Sequence, residues 1–175
     1  ADFAGRRIGV PEYQMTAALW MRGILSDEYG VDARSVHWRT GALYAGVRRE
    51  RLELTLPQGM VVEPIEEGET LQGLLQDGQI DGLLAPKPPQ AFLDGDDRFV
   101  RLFPDLEAAV RAYYKKTGFF PIMHLIGLRK SLVEAYPDLP RALYTAFVAA
   151  RDSAIERLRK IWLGNANRLS LPWLN

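Results

Sequence analysis

The sequence contains no cysteine, which excludes disulfide frameworks, thiolate nucleophiles and Cys-x-x-Cys redox pairs together. Histidine is scarce: His37 and His124 are the only two, and they stand too far apart for a local metal motif such as His-Glu-x-x-His. A metal would rest mostly on carboxylates and water. No cofactor is evident; a divalent metal stays open without a local motif to support it, and no metal ligand can be named. An excess of one charge is also lacking, since 22 lysines and arginines balance 22 aspartates and glutamates. No global field therefore favours nucleic acid or an anionic membrane as partner. Long hydrophobic runs are missing: residues 117–128 form the longest uncharged apolar-looking stretch, too short to span a bilayer and interrupted by Pro121 and His124. Residues 1–7 reach charge without the apolar core of a secretory leader. Gly-x-Gly-x-x-Gly, P-loop and Gly-x-Ser-x-Gly patterns are absent, which leaves dinucleotide binding, nucleotide hydrolysis and serine hydrolysis without their local signatures.

What is there is an alternation of short apolar runs with amphipathic stretches over 175 residues, enough chain for a substantial core. That alternation predicts an α/β fold. Residues 8–10 read as a strand ended by Pro11. Residues 16–29 read as a helix with Ala17, Trp20, Met21, Ile24 and Leu25 on one face, Thr16 as cap and Gly30 as stop. Further strands are expected at 35–39, 60–65, 80–85, 99–103 and 122–128. Thr70 and Asp105 are expected to cap helices, and Ser131 to Glu134 to form a capping box. A long helix over 139–161 carries Leu143, Phe147, Ala150, Ala154 and Leu158 as its core stripe.

An open α/β sheet binds ligands beyond the carboxyl ends of its strands, so the strand-to-helix loops are the places to look for chemistry. Glu12, Tyr13, Gln14 and Thr16 stand in and just after the first such loop, next to helix amides that favour a carboxylate. An ordinary turn with an N-cap accounts for the same residues. Arg39 and Thr40 end a strand beside Gly41, where the guanidinium could hold a carboxylate in bidentate fashion. Lys87 sits in the stiff Pro86-Lys87-Pro88-Pro89 loop as a point charge. Either cation would equally suit an ordinary solvated surface. His124 lies in an apolar run, where an imidazole serves either proton transfer or core packing.

Beyond single residues, the run Arg7-Ile8-Gly9-Val10-Pro11-Glu12-Tyr13-Gln14-Met15-Thr16-Ala17-Ala18-Leu19-Trp20, followed by Arg22-Gly23-Ile24-Leu25, resembles the 4,5-dihydroxyphthalate decarboxylase family. The resemblance continues through Val36-His37-Trp38-Arg39-Thr40-Gly41 and Gly78-Gln79-Ile80-Asp81, then Ala85-Pro86-Lys87-Pro88-Pro89, Arg101-Leu102-Phe103-Pro104-Asp105, and Thr117-Gly118-Phe119-Phe120-Pro121-Ile122-Met123-His124. It implies a fold similar to type 2 periplasmic binding proteins. The lobe would be a three-layer α/β/α arrangement on a mixed sheet, and the chain a fragment of a two-lobe protein. Residues 1–118 would form the second lobe, and 119–175 a hinge return with part of the first.

The reaction implied is decarboxylation of 4,5-dihydroxyphthalate to 3,4-dihydroxybenzoate in bacterial aromatic catabolism, with a small anionic aromatic as the binding partner. Direct cleavage of an aryl carboxylate would leave a localised carbanion. Protonating the ring at the carboxyl-bearing carbon, with electron push from the para hydroxyl, avoids it; the site must then supply an acid, a base and cations for two carboxylates. On this reading His124 or Glu12 transfers the proton and Arg39 and Lys87 hold carboxylates. Tyr13, Gln14, Thr16 and Thr40 lie around the substrate. The alternative from another class is a solute-binding protein that captures an anionic aromatic without chemistry. The enzyme would be cytoplasmic, the binding protein periplasmic. Oligomeric state is left open.

Overall fold

A computed structural model describes residues 3–118 and 120–164, with side chains described through 160. The chain divides into two compact units, Ala1–Met123 and His124–Asn175. The first holds a four-stranded sheet of β1 (Arg7–Val10), β2 (His37–Thr40), β3 (Val61–Pro64) and β4 (Gly82–Leu83), in the spatial order β3-β2-β1-β4. Every strand pairing among the described residues is parallel, so the expectation of a mixed sheet is corrected.

The reason lies in the segments expected to supply more strands. Residues 99–103 and 122–128 are not strands; their apolar runs find no ladder partner, and an apolar run alone does not make a strand. The expected strand at 80–85 contracts to β4 because its partner is short. Ile8 and Gly9 pair with Gly82 and Leu83, and β1 gives way at once to Pro11, which has no N–H to donate.

Helices follow the strands as their caps dictate. In α1 (Thr16–Tyr29), Gly30 at φ 68° supplies the left-handed stop. The helix starts one residue earlier than a Thr16 cap requires: Met15 holds the cap position with no side-chain bond, because a turn from the Met15 amide to the Glu12 carbonyl, 3.3 Å, leads the chain in. Thr70 caps α2 (Leu71–Gln76) through the Gly73 amide. A short turn, α3 (Gln90–Leu93), follows the proline loop. Asp105 then caps α4 (Leu106–Thr117) through the Ala108 amide.

Strand alternation sends Ile8 and Val10 to one face of the sheet and Gly9 to the other. Ile8 and Val10 join Ala18 of α1, Val36, Trp38 and Tyr13 in one buried cluster. A second cluster joins Leu71 and Leu74 of α2 to Ile80. Gly9 opens the space for it: a Cβ there would stand 2.7 Å from the Ile80 Cδ1 and 3.1 Å from the Leu71 Cδ2. Helices thus pack on both faces, which accords with an α/β architecture.

The second unit contains α5 (Lys130–Ala135) and α6 (Leu139–Gly164). The expected Ser131 capping box does not form; α5 starts at Lys130, so Ser131 already lies inside the first turn and Arg129 occupies the cap without a side-chain bond. The α6 stripe is apolar but not a core here. Leu143 is half-buried, Ala150, Ala154 and Leu158 are exposed, and Phe147 is 50% exposed.

Candidate functional site

Because all four strands run parallel, their carboxyl ends lie along one edge of the sheet, and with them the loops that follow. Strand order places a switch point between β1 and β4: the connection from β1 leads to β2 on one side, while that from β3 crosses back to β4 on the other. Crevices at such switch points are where open α/β sheets bind ligands. Residues 11–15 after β1 and 84–89 after β4 flank this one.

The first loop is held from three directions. Tyr13 is buried, its ring edge-on to Trp38 at 5.6 Å between centroids and its hydroxyl 3.8 Å from the Met60 sulfur. Arg22, one and a half turns into α1, lays its guanidinium 3.6 Å from the Tyr13 ring centre and donates to the Tyr13 carbonyl at 2.6 Å. Burial lowers the Arg22 guanidinium from its ordinary range, with Tyr13 and Glu50 pulling the other way; burial likewise raises the Tyr13 phenol. From the opposite side, the Glu50 carboxylate accepts the Tyr13 amide and, at 3.4 Å, the Gln14 amide.

Glu12 is the one strongly buried carboxylate among the described residues, only 6% exposed. A buried charge needs a partner, and Arg48 supplies it: its Nη2 and Nε lie 2.6 and 2.7 Å from the Glu12 Oε1. Arg51 adds a longer contact of 3.5 Å to the Oε2. Arg48, Glu50 and Arg51 therefore fasten the segment after β2 onto the loop after β1.

The remaining predicted residues are distributed around this centre. Thr40 is buried at the end of β2, opposite Val10 of β1 in the ladder. Arg39 is half-buried and bonds Glu63 of β3 at 3.2 Å. Gln14 and Thr16 are exposed beside the first loop. Lys87 is exposed in its proline loop, and that loop is tied to the one after β2 by the Tyr44 hydroxyl, which donates to the Pro88 carbonyl at 2.7 Å. His124 is exposed and belongs to the second unit. The first unit thus gathers Glu12, Tyr13, Gln14, Thr16, Arg39, Thr40 and Lys87 along one edge of its sheet.

Four contributors escaped the sequence reading. Arg22 stands in the family-like run without a motif role of its own, and Arg48, Glu50 and Arg51 lie in the weakly patterned, charged stretch 43–56, whose sequence announces no element. The signal was there as a dense Arg48-Arg49-Glu50-Arg51 cluster between two strands. A hollow of about 770 Å³ beside β4, lined by Ile24, Leu83, Pro86, Phe92, Phe99 and Phe103 among others, holds none of the predicted catalytic or substrate residues. Among the described residues, no three histidines, aspartates or glutamates gather as a metal centre, and no helix is long and apolar enough to cross a membrane.

Fold and loops together define a parallel-sheet α/β protein with a network of paired charged side chains at the carboxyl ends of its strands. No protein-family model matches the chain. Across 174 residues, 99% of its length, it is 41% identical to a 4,5-dihydroxyphthalate decarboxylase of Comamonas testosteroni, and those residues cover 52% of that protein. It is 37% identical over 119 residues to a 4,5-dihydroxyphthalate decarboxylase of Pseudomonas putida, covering 68% of this chain and 46% of that one. By sequence the chain belongs to this decarboxylase family, and it spans about half the length of the curated relatives it matches.

Proposed function

We propose that this chain is the substrate-gripping part of a 4,5-dihydroxyphthalate decarboxylase. The observation that carries the proposal is identity at 41% of positions, running through 99% of the chain, with an enzyme of that name. The charged loops at the strand ends supply groups such a substrate requires. In this reading the chain is a fragment of a two-lobe protein similar in fold to type 2 periplasmic binding proteins. Residues 1–118 belong to the second lobe and 119–175 to the hinge return and part of the first.

The substrate is a dianion, so its recognition calls for cations and amides. Lys87 and Arg39 would take the two carboxylates, Arg39 exchanging its exposed Glu63 partner for substrate. Tyr13, Gln14, Thr16 and Thr40 would orient the ring. The reaction replaces the ring–carboxylate bond with a ring–hydrogen bond: a proton is added at the carboxyl-bearing carbon while the para hydroxyl pushes electrons into the ring. Carbon dioxide then leaves with the electron pair of the broken bond returned to the ring. Glu12 or His124 is the proton-transfer group. Glu12 is supported as a proton acceptor by its carboxylate, buried against the Arg48 and Arg51 guanidiniums; His124 offers an imidazole, a group that can both give and take a proton. An enzyme of aromatic catabolism with this substrate would work in the cytoplasm.

The test is to give the intact gene product 4,5-dihydroxyphthalate, with and without added divalent metal, and to follow carbon dioxide and 3,4-dihydroxybenzoate. Turnover is expected. Tight binding without product would replace the enzyme by a solute-binding protein, and neither binding nor turnover would overturn the proposal. Alanine at Arg39 or His124 is expected to lower kcat/KM at least about tenfold, roughly 1.4 kcal/mol of transition-state binding; an unchanged value removes that residue's assignment.

A further inference from the structure

The loop proposed to receive substrate already holds a carboxylate, and it is the chain's own. Glu50 Oε1 accepts the Tyr13 amide and Oε2 the Gln14 amide, so one carboxylate spans two successive N–H groups, as an anionic ligand does on such a pair. The peptide between Tyr13 and Gln14 is gripped from both sides, since its carbonyl accepts from Arg22 at 2.6 Å. Glu50 is delivered by the segment after β2, whose flanking Arg48 and Arg51 are pinned by Glu12. Two features suit a latch. Glu50 contributes neither to a strand nor to a helix, and it stands in an exposed stretch, where residues 44–49 and 51–53 are all solvent-facing. Its contacts are polar ones that another carboxylate can reproduce.

We propose that Glu50 is a built-in substitute for a substrate carboxylate, which an incoming aryl carboxylate must displace, releasing the segment around residues 48–51. The inference rests on the reading of residues 11–15 as the substrate loop. It gives the loop amides a definite ligand class, an aromatic carboxylate. It also gives the charged segment a purpose: the empty site is kept closed and charge-balanced, and the dianionic substrate opens it. Displacement trades one carboxylate for another at the same amides, so apparent affinity is reduced by the fraction of molecules in which Glu50 is seated.

The experiment uses the intact gene product, with phthalate as the probe because it carries both carboxylates but lacks the para hydroxyl that drives decarboxylation. Phthalate affinity is measured by calorimetry for the wild type, for Glu50→Gln and for Glu50→Ala. Both variants are expected to bind phthalate about three- to thirtyfold more tightly, and neutral phthalamide no better than the wild type does. In the wild type, amide hydrogen exchange over residues 44–53 is expected to speed up when phthalate binds, the reverse of ordinary ligand protection. Equal or weaker phthalate binding by the variants overturns the proposal, as does slowed exchange in that segment, which needs only the wild type and so decides the matter should the variants fail to fold. Absence of phthalate binding in every form would sink the substrate-loop reading and this inference with it; equal binding in every form would sink this inference alone.

Discussion

Arg22 shows how much a single side chain organises. Its guanidinium stacks on Tyr13 and holds the Tyr13 carbonyl, so the geometry of the whole first loop depends on a residue inside the following helix. Arg22→Met keeps the aliphatic stem but abandons that carbonyl. It is expected to cost about 1.5–3 kcal/mol in urea unfolding, the usual range for a bond to a charged group, and to raise KM more than it lowers kcat; an unchanged unfolding midpoint would show that the loop is held by Trp38 and Glu50 alone. Asp81 acts at the opposite end of the sheet, where its carboxylate accepts the Arg7 amide at 2.8 Å and the Arg7 Nε at 3.1 Å. The Arg7 side chain, then the Arg7 amide, holds the Asp81 carboxyl below the ordinary carboxylate range. A depressed carboxyl contributes stability that is complete above its unfolded value, about 3.9, and lost as pH falls through the folded value. The gap in melting temperature between wild type and Asp81→Asn should therefore be full at pH 6 and close progressively below about pH 4; a gap independent of pH would remove the linkage.

At the scale of elements, the site depends on where β2 ends and how its following loop leaves the sheet. The Ala42 and Leu43 carbonyls accept the amides of Leu71 and Gln72 at 2.8 and 3.1 Å, so this loop also docks the start of α2. Gly41 makes the close approach feasible, because a Cβ there would overlap the Cγ1 and Cδ1 of Ile65. Gly41→Ala is expected to destabilise the fold by about 1–3 kcal/mol through overpacking, with part of the loss restored by Ile65→Ala; denaturant midpoints of the two single variants and the double variant test this. Additive losses would mean that the two positions do not clash. Much of this level was legible in the sequence. Thr70 and Asp105 cap the helices they precede, and Gly30 stops α1, because capping is local chemistry between neighbours. The strands expected at 99–103 and 122–128 failed because a strand is defined by its partner, which no local pattern names.

At the scale of the whole molecule, the two units differ in how completely they cover their apolar residues. The first encloses Val10, Val36, Trp38 and Leu71, with Trp38 only 1% exposed. The second leaves Leu125 88% exposed and Ile126, Tyr144, Phe147, Ile155 and Leu158 at least partly so. Apolar surface of that extent usually marks contact with something else. The 175-residue chain should bind a hydrophobic dye such as ANS strongly; weak dye binding would show that α6 covers itself.

Composition, periodicity and motif order by themselves determined the α/β class, the principal helices and the family, since those follow from residues acting on near neighbours or from their order along the chain. They also placed Glu12, Tyr13 and Lys87 in loops after strands and Thr40 at a strand end. Only the tertiary structure decided that every pairing among the described residues is parallel, that Arg39 meets Glu63, and that Arg48 and Glu50 close over the first loop from more than thirty residues away. The physical reason is the same in each case. A hydrogen bond or ion pair between distant segments depends on which strands lie side by side, and the chain settles that through burial of the whole core rather than through any local pattern.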